Sequence, residues 1–431
     1  MQDVLFGGNG RRDDLRYEGI RVLDPAEGID ETLNVTVEAG VITKLEAASG
    51  ADSERGRVMA PAFIDPHVHL RTPGREDEED IASGTKAAAA GGYCAILAMP
   101  NTEPAVDSGA VLGALVERAK AEAEIPVGFL AAISKGQEGA ELTEMVELAE
   151  RGAAGFSDDG RPVASPGLLR RALQYHSVAG RRIAVHCEEA ALSRGGQVHE
   201  GLVSAELGFQ GYPSVGESVM VGRDLMLAAY ENQPIHLLHL SARESVDELR
   251  SARSAGVQAS GEVTPHHLCL TDEAVRSLDP NLKMNPPLRA EEDRQALIEA
   301  LKDGTIEAIA TDHAPHARHE KDVPFEEAPF GVTGLETAFS VLYTRLVEPG
   351  TLSLAALIDR MTAGPARIYG LESPRVAVGA PANLTVLDLE RSWRVDERGF
   401  KSRSPNSWLL GQTLRGKVVE TVANGKLAYT A

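Results

Sequence analysis

Eight short apolar runs occupy the middle of this 431-residue chain. Each closes on polar residues and is followed by a stretch with helical spacing. The runs are VMAPAFIDPHVH (58–69), YCAILAMPN (93–101), PVGFLAAIS (126–134), AGFSDDG (154–160), RIAVHCEE (182–189), IHLLHLS (235–241), VQASGEVTPHH (257–267) and IEAIATDHAP (306–315). Between them, Gly109–Glu124, Leu142–Gly152, Gly167–Ala179, Ser218–Glu231 and Ala290–Asp303 carry apolar residues at i, i+3 and i+4 with frequent glycine stops. Strands alternating with helices predict a parallel sheet, and eight is the number at which such a sheet closes into a (β/α)8 TIM-like barrel. An open doubly wound sheet calls for a glycine-rich phosphate turn, and neither GxGxxG nor GxxxxGK[ST] occurs.

The ends of the chain are patterned differently. IRVLDP, LNVTVEAG and VITKLE near the start, and NLTVLDL, KVVETVANG and KLAYTA near the end, are short strands broken by turn formers. VEAGVITKL and VETVANGKLAY are hairpins closed by a glycine-containing turn. The expected α/β architecture is therefore a catalytic barrel over residues 61–374 and a small β-sandwich domain built from both termini, 1–60 and 375–431. Residues up to about Tyr17 fit no pattern and are expected to form a disordered extension.

Charge narrows the function. Lys plus Arg number 43 against 64 Asp plus Glu, a formal net charge of −21. So acidic a surface repels phosphate backbones and anionic lipid, which argues against nucleic-acid and membrane-surface roles. An anionic small substrate would need local positive charge. Cys94, Cys187 and Cys269 lie far apart with no CxxC pair, which fits a reducing compartment. Met1–Arg16 has no apolar signal core, and the uncharged stretch Ala87–Asn101 is too short to span a bilayer. The expectation is a cytoplasmic protein.

Chemistry in such barrels gathers at the C-terminal ends of the strands. His67 and His69 end the first run, Asn101 the second, Asp158 and Asp159 the fourth, His186 the fifth, His239 the sixth, and Asp312 and His313 the eighth. The third offers only Ser134 and Lys135. His-x-His at strand spacing puts two imidazoles on one face, where both can bind one ion. Four histidines and two aspartates suit a divalent transition metal such as zinc, and six ligands suit two ions with a shared bridge. Paired metals lower the pKa of bound water from 15.7 toward about 7. His239 is preferred over His236 because it lies nearer the strand end. His266 and His267 are adjacent, cannot share a face, and are assigned a supporting role. His176, His199 and His319 are expected on the surface or in ordinary packing, and Cys187 points away from the site. Strand alternation leaves the choice between Asp158 and Asp159 open.

FIDPHVHLRTPG, MPNTEP, FSDDG, VHCEE, HLLHLS, VTPHHL, KMNPPLR and TDHAPH, in this order, resemble the dihydroorotases of the amidohydrolase superfamily, specifically the stand-alone type with an aspartate-bridged metal centre. The resemblance implies that His67 and His69 bind one zinc ion with Asp312, that His186 and His239 bind a second, and that Asp159 and a hydroxide bridge the pair. Relatives with a carboxylated lysine bridge would carry it near Ser157, where this chain has no lysine. The resemblance further implies that His69, Arg71, Asn101, Asn285 and His316 hold the substrate, with backbone groups of Phe330 and Gly331.

The implied reaction is reversible cyclisation of N-carbamoyl-L-aspartate to (S)-dihydroorotate plus water, a step of de novo pyrimidine synthesis. Arg71 would grip the substrate carboxylate in bidentate fashion, and Asp312 would act as general acid/base. A homodimer and association with aspartate transcarbamoylase follow from the resemblance alone. The competing activities are those of other cyclic amidohydrolases, dihydropyrimidinase, hydantoinase or allantoinase, and a metal-free scaffold partnering aspartate transcarbamoylase. The charged, proline-broken stretch 316–330 is either a lid over the site or a solvated surface loop.

Overall fold

The computed structural model describes residues 4–48 and 56–431. β1 (Leu15–Asp24), β2 (Ile29–Glu38), β3 (Val41–Ala47) and β4 (Arg57–Pro61) build half of an outer sheet. The chain then enters the barrel through β5 (Phe63–Val68), β6 (Tyr93–Ala98), β7 (Val127–Ala131), β8 (Gly155–Phe156) and β9 (Arg182–Val185). A two-stranded excursion, β10 (Val198–His199) and β11 (Gly211–Tyr212), precedes β12 (Ile235–Leu237), β13 (Ala259–Val263) and β14 (Ala308–Ile309). β15 (Leu384–Arg394), β16 (Thr413–Ala423) and β17 (Lys426–Thr430) return to the outer sheet, ordered β17-β16-β15-β4-β1-β2-β3.

The eight barrel strands are parallel neighbours in chain order from β5 to β14. A bridge between Val68 and His313 brings the last segment back to the first, with His69 N donating to His313 O at 2.9 Å. The chain is thus a (β/α)8 barrel with a small β-sandwich. Alternate strand residues turn inward: Leu97, Leu130, Ala184, Leu238 and Ala308 cluster with Ile368 and Tyr369, while Ile96 and Phe129 join the much larger helix-facing core. In the outer sheet, Val22, Val35 and Ile42 share a core with Leu384, Val386 and Val422, so strands from the two ends of the chain bury each other.

Two expectations need correction. The run 58–69 is not one barrel strand: β4 pairs with β1 and β15 in the outer sheet, and only β5 belongs to the barrel. Every residue from 58 to 69 is buried, so its apolar pattern contains no break to mark the change of sheet at Ala62. The start of the chain is also ordered from Val4 onward. Phe6 and Val127 exchange backbone hydrogen bonds of 2.9 and 2.8 Å, and β1 already begins at Leu15.

Both foreseen hairpins form. Ala39–Gly40 and Asn424–Gly425 each place two residues at positive φ (49° and 77°, 50° and 79°), as a two-residue loop between right-twisted strands requires. The two turns lie against each other, and a Cβ on Gly425 would fall 2.4 Å from the Gly40 Cα. Gly425→Ala therefore meets both an unfavourable φ and backbone. We expect a loss of roughly 1–3 kcal/mol, read as a lower Tm in thermal denaturation.

Candidate active site

The polar ends of β5, β9 and β12 and of the segments following β8 and β14 converge on one buried space. His67 Nε2 lies 3.5 Å from Asp159 Oδ2 and 3.4 Å from Asp312 Oδ1. His69 Nε2 lies 3.0 Å from Asp312 Oδ1 and 3.5 Å from Asp159 Oδ2. His239 Nε2 is 3.3 Å from Asp159 Oδ1 and 2.9 Å from His186 Nδ1. All six side chains are buried or nearly so.

The surroundings decide which nitrogen faces inward. A carboxylate can only accept, so His67 Nδ1 donates to Glu262 Oε1 (2.7 Å) and leaves the Nε2 lone pair free. His69 Nδ1 likewise donates to Asn101 Oδ1 (2.8 Å). His186 donates from Nε2 to Glu188 Oε2 (2.9 Å), so its Nδ1 lone pair faces His239. Glu262 also accepts from His236 Nε2 (2.9 Å), which makes it the hub behind the cluster. Asp158 is turned elsewhere: its carboxylate accepts from Ser134 Oγ and from the backbone N–H groups of Ile133 and Ser134. Only Asp159 reaches the centre from that pair.

Lone pairs packed this closely call for a cation. Buried His67 Nε2 has no hydrogen-bond partner at all. Ligands about 2.0–2.1 Å from a tetrahedral ion stand roughly 3.4 Å apart, which matches most of the separations above. Ligand atoms of His67, Asp159 and His239, and of His67, His69 and Asp312, lie within 4.8 Å of one another in each set. A proton can meet the same demand for positive charge: burial opposes charge on His67, but Asp159 and Asp312 outweigh it and hold the imidazole well above its usual range. Burial likewise opposes ionisation of Asp159 and Asp312, and the imidazoles overcome it and hold both acids well below theirs. A third group, Glu78, His316 and Glu320, has comparable spacing, but Arg71 and Arg75 already supply its positive charge.

Backbone strain marks the same residues. His239 (φ 30°), Asp312 (φ 48°) and Arg71 (φ 56°) all adopt the left-handed conformation that side chains rarely take. Asp65 steadies this rim by accepting from Thr311 Oγ1 (2.6 Å) and His67 N (3.1 Å).

A cavity of about 220 Å³ opens above the cluster, walled by Arg71, Asn101, Asn285, Phe330 and Gly331. Arg71 Nε is held by Glu78 Oε2 (2.9 Å) and Pro315 O (3.1 Å), which fixes the guanidinium at the wall. Asn285 donates to Glu188 Oε2 (3.0 Å) and keeps a buried Oδ1 without a partner. His316 lies behind Arg71, its Nε2 donating to Phe330 O (2.8 Å); burial, then Arg71, push its pKa down to about 3, so the ring is neutral. The backbone groups assigned to substrate are both engaged within the protein, Phe330 O by His316 and Gly331 N by Lys283 O (2.9 Å). A larger cavity, about 620 Å³, lies at the opposite end of the barrel beside Phe6 and Ile64 and contains none of these groups.

Several of the remaining histidines have structural partners. His267 Nε2 donates to Pro286 O (3.0 Å), His176 Nδ1 to Arg181 O (2.7 Å), and His199 lies beside Arg289. His266, in the short helix Pro265–Cys269, is buried and kept neutral by that burial, and its Nε2 has no hydrogen-bond partner. Cys187 is buried near Asp224 with its thiol pushed up by burial, so it is no nucleophile. Glu262, Glu188 and Glu78 were not singled out in the sequence. Glu262 carried a readable signal, a charge in mid-strand, and Glu188 lies two residues after His186 in the run read as one strand. Glu78 carried none.

Residues 56–245 match the family model described as dihydro-orotase-like. Over 96% of its length the chain is 45% identical to a dihydroorotase of Geobacter metallireducens, covering 99% of that protein. It is 41% identical to one from Acetivibrio thermocellus, over 96% and 98% of the two chains. The chain belongs to the dihydroorotase family. In fold it is also similar to an L-hydantoinase (dihydropyrimidinase) from Arthrobacter aurescens, with a TM-score of 0.85 at 24% identity over 96% and 95% of the chains. Dihydropyrimidinase from Brevibacillus agri gives 0.81 at 21% over the same shares. Members of the dihydroorotase family are cyclic amidohydrolases, and the clustered imidazoles and acids accord with metal use.

The 316–330 segment is exposed in part, and Phe330 at its end walls the cavity. Two lysines fasten it. Lys321 Nζ donates to Pro280 O (3.0 Å) and Pro329 O (2.7 Å), and Lys283 Nζ to Phe325 O and Glu326 O (both 2.9 Å). Burial lowers the Lys321 pKa to about 7. Between pH 7 and about 10.5 the unfolded chain holds a proton at Lys321 that the folded chain has lost, so stability rises with pH in that window. The slope is at most about 1.4 kcal/mol per pH unit. Lys321→Met removes it, and the Tm of the variant relative to wild type is expected to fall as the pH is raised from 7 to 9.

Proposed function

We propose that this chain is a zinc-dependent dihydroorotase, interconverting N-carbamoyl-L-aspartate and (S)-dihydroorotate plus water. The observation that carries this reading is the juxtaposition, in one small cavity, of the lone-pair cluster and a guanidinium fixed by buried Glu78. An anionic substrate needs such a fixed cation on a chain with a net charge of −21.

His67, His69 and Asp312 would hold one zinc ion and His186 and His239 another, with Asp159 reaching both. When bound, these ions supply Lewis acidity and lower the pKa of water. Arg71 takes the substrate carboxylate, and Asn101 and Asn285 bond the ring amides, Asn285 with its unpartnered Oδ1. In hydrolysis, a carboxylate oxygen of Asp312 accepts the proton of the attacking water. As the carbonyl carbon–nitrogen bond breaks, Asp312 returns that proton to the departing nitrogen. Cyclisation runs the same transfers in reverse and releases water. The same reading places the enzyme in the cytoplasm, as a homodimer able to associate with aspartate transcarbamoylase; no described helix is long and apolar enough to cross a membrane.

A chelator-treated preparation is expected to lose both ring opening of dihydroorotate and ring closure of carbamoyl-aspartate, with zinc restoring both. Equal or better turnover of an unsubstituted hydantoin would overturn the substrate assignment. Asp312→Asn is expected to retain zinc by elemental analysis while kcat falls at least about a hundredfold. Glu262→Gln, which cannot accept from two imidazoles in the same way, is expected to weaken zinc affinity about 10- to 100-fold in competition with a chromogenic chelator.

A further inference from the structure

Asn285 stands between two cavities. One is the cavity of about 220 Å³ above the imidazole cluster. The other, of about 330 Å³, is walled also by Glu188, Ser193, Gln197, Tyr212 and Lys283. A side chain with open space on two sides is not oriented by packing, so hydrogen bonding decides how its amide stands. Among the described residues that amide makes one hydrogen bond, from Nδ2 to Glu188 Oε2 at 3.0 Å. The same oxygen accepts from His186 Nε2 at 2.9 Å, and Glu188 Oε1 accepts from Ser193 Oγ at 2.5 Å. Glu188 is not among the walls of the smaller cavity, so whatever it does there passes through these neighbours.

We infer that Glu188 is a positioning residue that sets, through one carboxylate oxygen, both the inward nitrogen of His186 and the hydrogen-bonding sense of Asn285; this rests on the dihydroorotase reading above. A carboxylate only accepts, so Asn285 turns its NH2 toward Glu188 and its Oδ1 away. That oxygen is buried and has no partner within the protein. The amide therefore offers substrate an acceptor, and the group it selects is an N–H. Dihydroorotate carries N–H groups in its ring and carbamoyl-aspartate carries them in its ureido arm, whereas an ester or ether oxygen in that place has none to give. Turned the other way, the same amide would present a donor and choose a carbonyl. For His186 the same acceptor fixes Nε2 as the protonated nitrogen and leaves the Nδ1 lone pair facing His239. One oxygen thus aligns a candidate metal ligand and a candidate substrate ligand together. Its reach matters more than its charge, because it must lie within hydrogen-bond distance of both.

Steady-state kinetics with dihydroorotate, and zinc titration against a chromogenic chelator, test the inference on the full chain. Glu188→Ala is expected to raise KM about tenfold, the scale of one hydrogen bond, with most of the loss in kcat/KM lying in KM. It should also weaken zinc binding about tenfold. Asn285→Ala should raise KM to a similar degree and leave zinc affinity as in wild type. The double variant should have a KM no higher than either single variant, because both changes remove the same contact. Glu188→Gln can place its carbonyl oxygen where Oε2 stands and turn its NH2 toward the Ser193 hydroxyl. Glu188→Asp keeps the charge but is one methylene too short for both partners. The neutral Gln variant is therefore expected to stay nearer wild type in KM and zinc affinity than the charged Asp variant. That order is opposite to what a purely electrostatic role gives, and it is readable even if Glu188→Ala fails to fold. Additive KM effects of Glu188→Ala and Asn285→Ala, or Asp outperforming Gln, would sink the inference and leave the dihydroorotase reading intact. A wild type unable to turn over dihydroorotate would remove that reading and the Asn285 half of the inference with it. Zinc affinity unchanged in the Glu188 variants would remove the His186 half.

Discussion

The mutual repulsion of buried lone pairs is the constraint around which this chain is organised. Closing an eight-stranded barrel forces the strand ends together, and here those ends carry four imidazoles and two carboxylates within hydrogen-bond range of one another. Left to themselves, such groups would take up protons or splay into solvent. They are held instead by an outer ring, Glu262, Glu188 and Asn101, that dictates which ring nitrogen points inward. Strained backbone at His239 and Asp312 persists because this ring and the barrel over-determine it. The cluster therefore demands positive charge, which protons on the imidazoles or a bound cation would supply.

Much of this could be read from the residues. All eight barrel strands coincide with apolar runs that end in polar residues, because a parallel sheet buried on both faces writes itself as continuous apolar sequence. His67 and His69 were conspicuous through their spacing, and Asp312 and His239 through their place at strand ends. The helix Ile81–Ala90 left no such trace. Its sequence, IASGTKAAAA, is nearly all small, and seven of its ten residues are buried, so no polar stripe remains to reveal a period. The passage from β4 to β5 is hidden for the same reason: both strands are fully enclosed, and only hydrogen-bond partners distinguish them.

What lay beyond the sequence was the supporting chemistry. Glu262 serves His67 and His236 from a strand two places removed in the barrel order from one of them and adjacent to the other, a relation that exists only after closure. Alternation could not separate Asp158 from Asp159 because the segment after β8 leaves strand geometry at that point. The Ser134 hydroxyl and two amides claim Asp158 and thereby leave Asp159 to the centre.

The hydantoinase-like structures show how little the scaffold says about the substrate. A TM-score of 0.85 at 24% identity means that the barrel and sandwich are shared while most side chains are not. Discrimination must then reside in short segments beyond the strand ends. Two residues after His69, Arg71 is set in a left-handed turn, and Glu78, seven residues further on, is folded back beneath it. The guanidinium is buried, which disfavours its charge, and the Glu78 carboxylate directly opposes that cost. On the proposed function, a loop of this kind supplies the cation for a substrate carboxylate without moving any strand. Specificity would then be a local electrostatic device added to a rigid frame, with the fold held in common and the choice of substrate left to the loops.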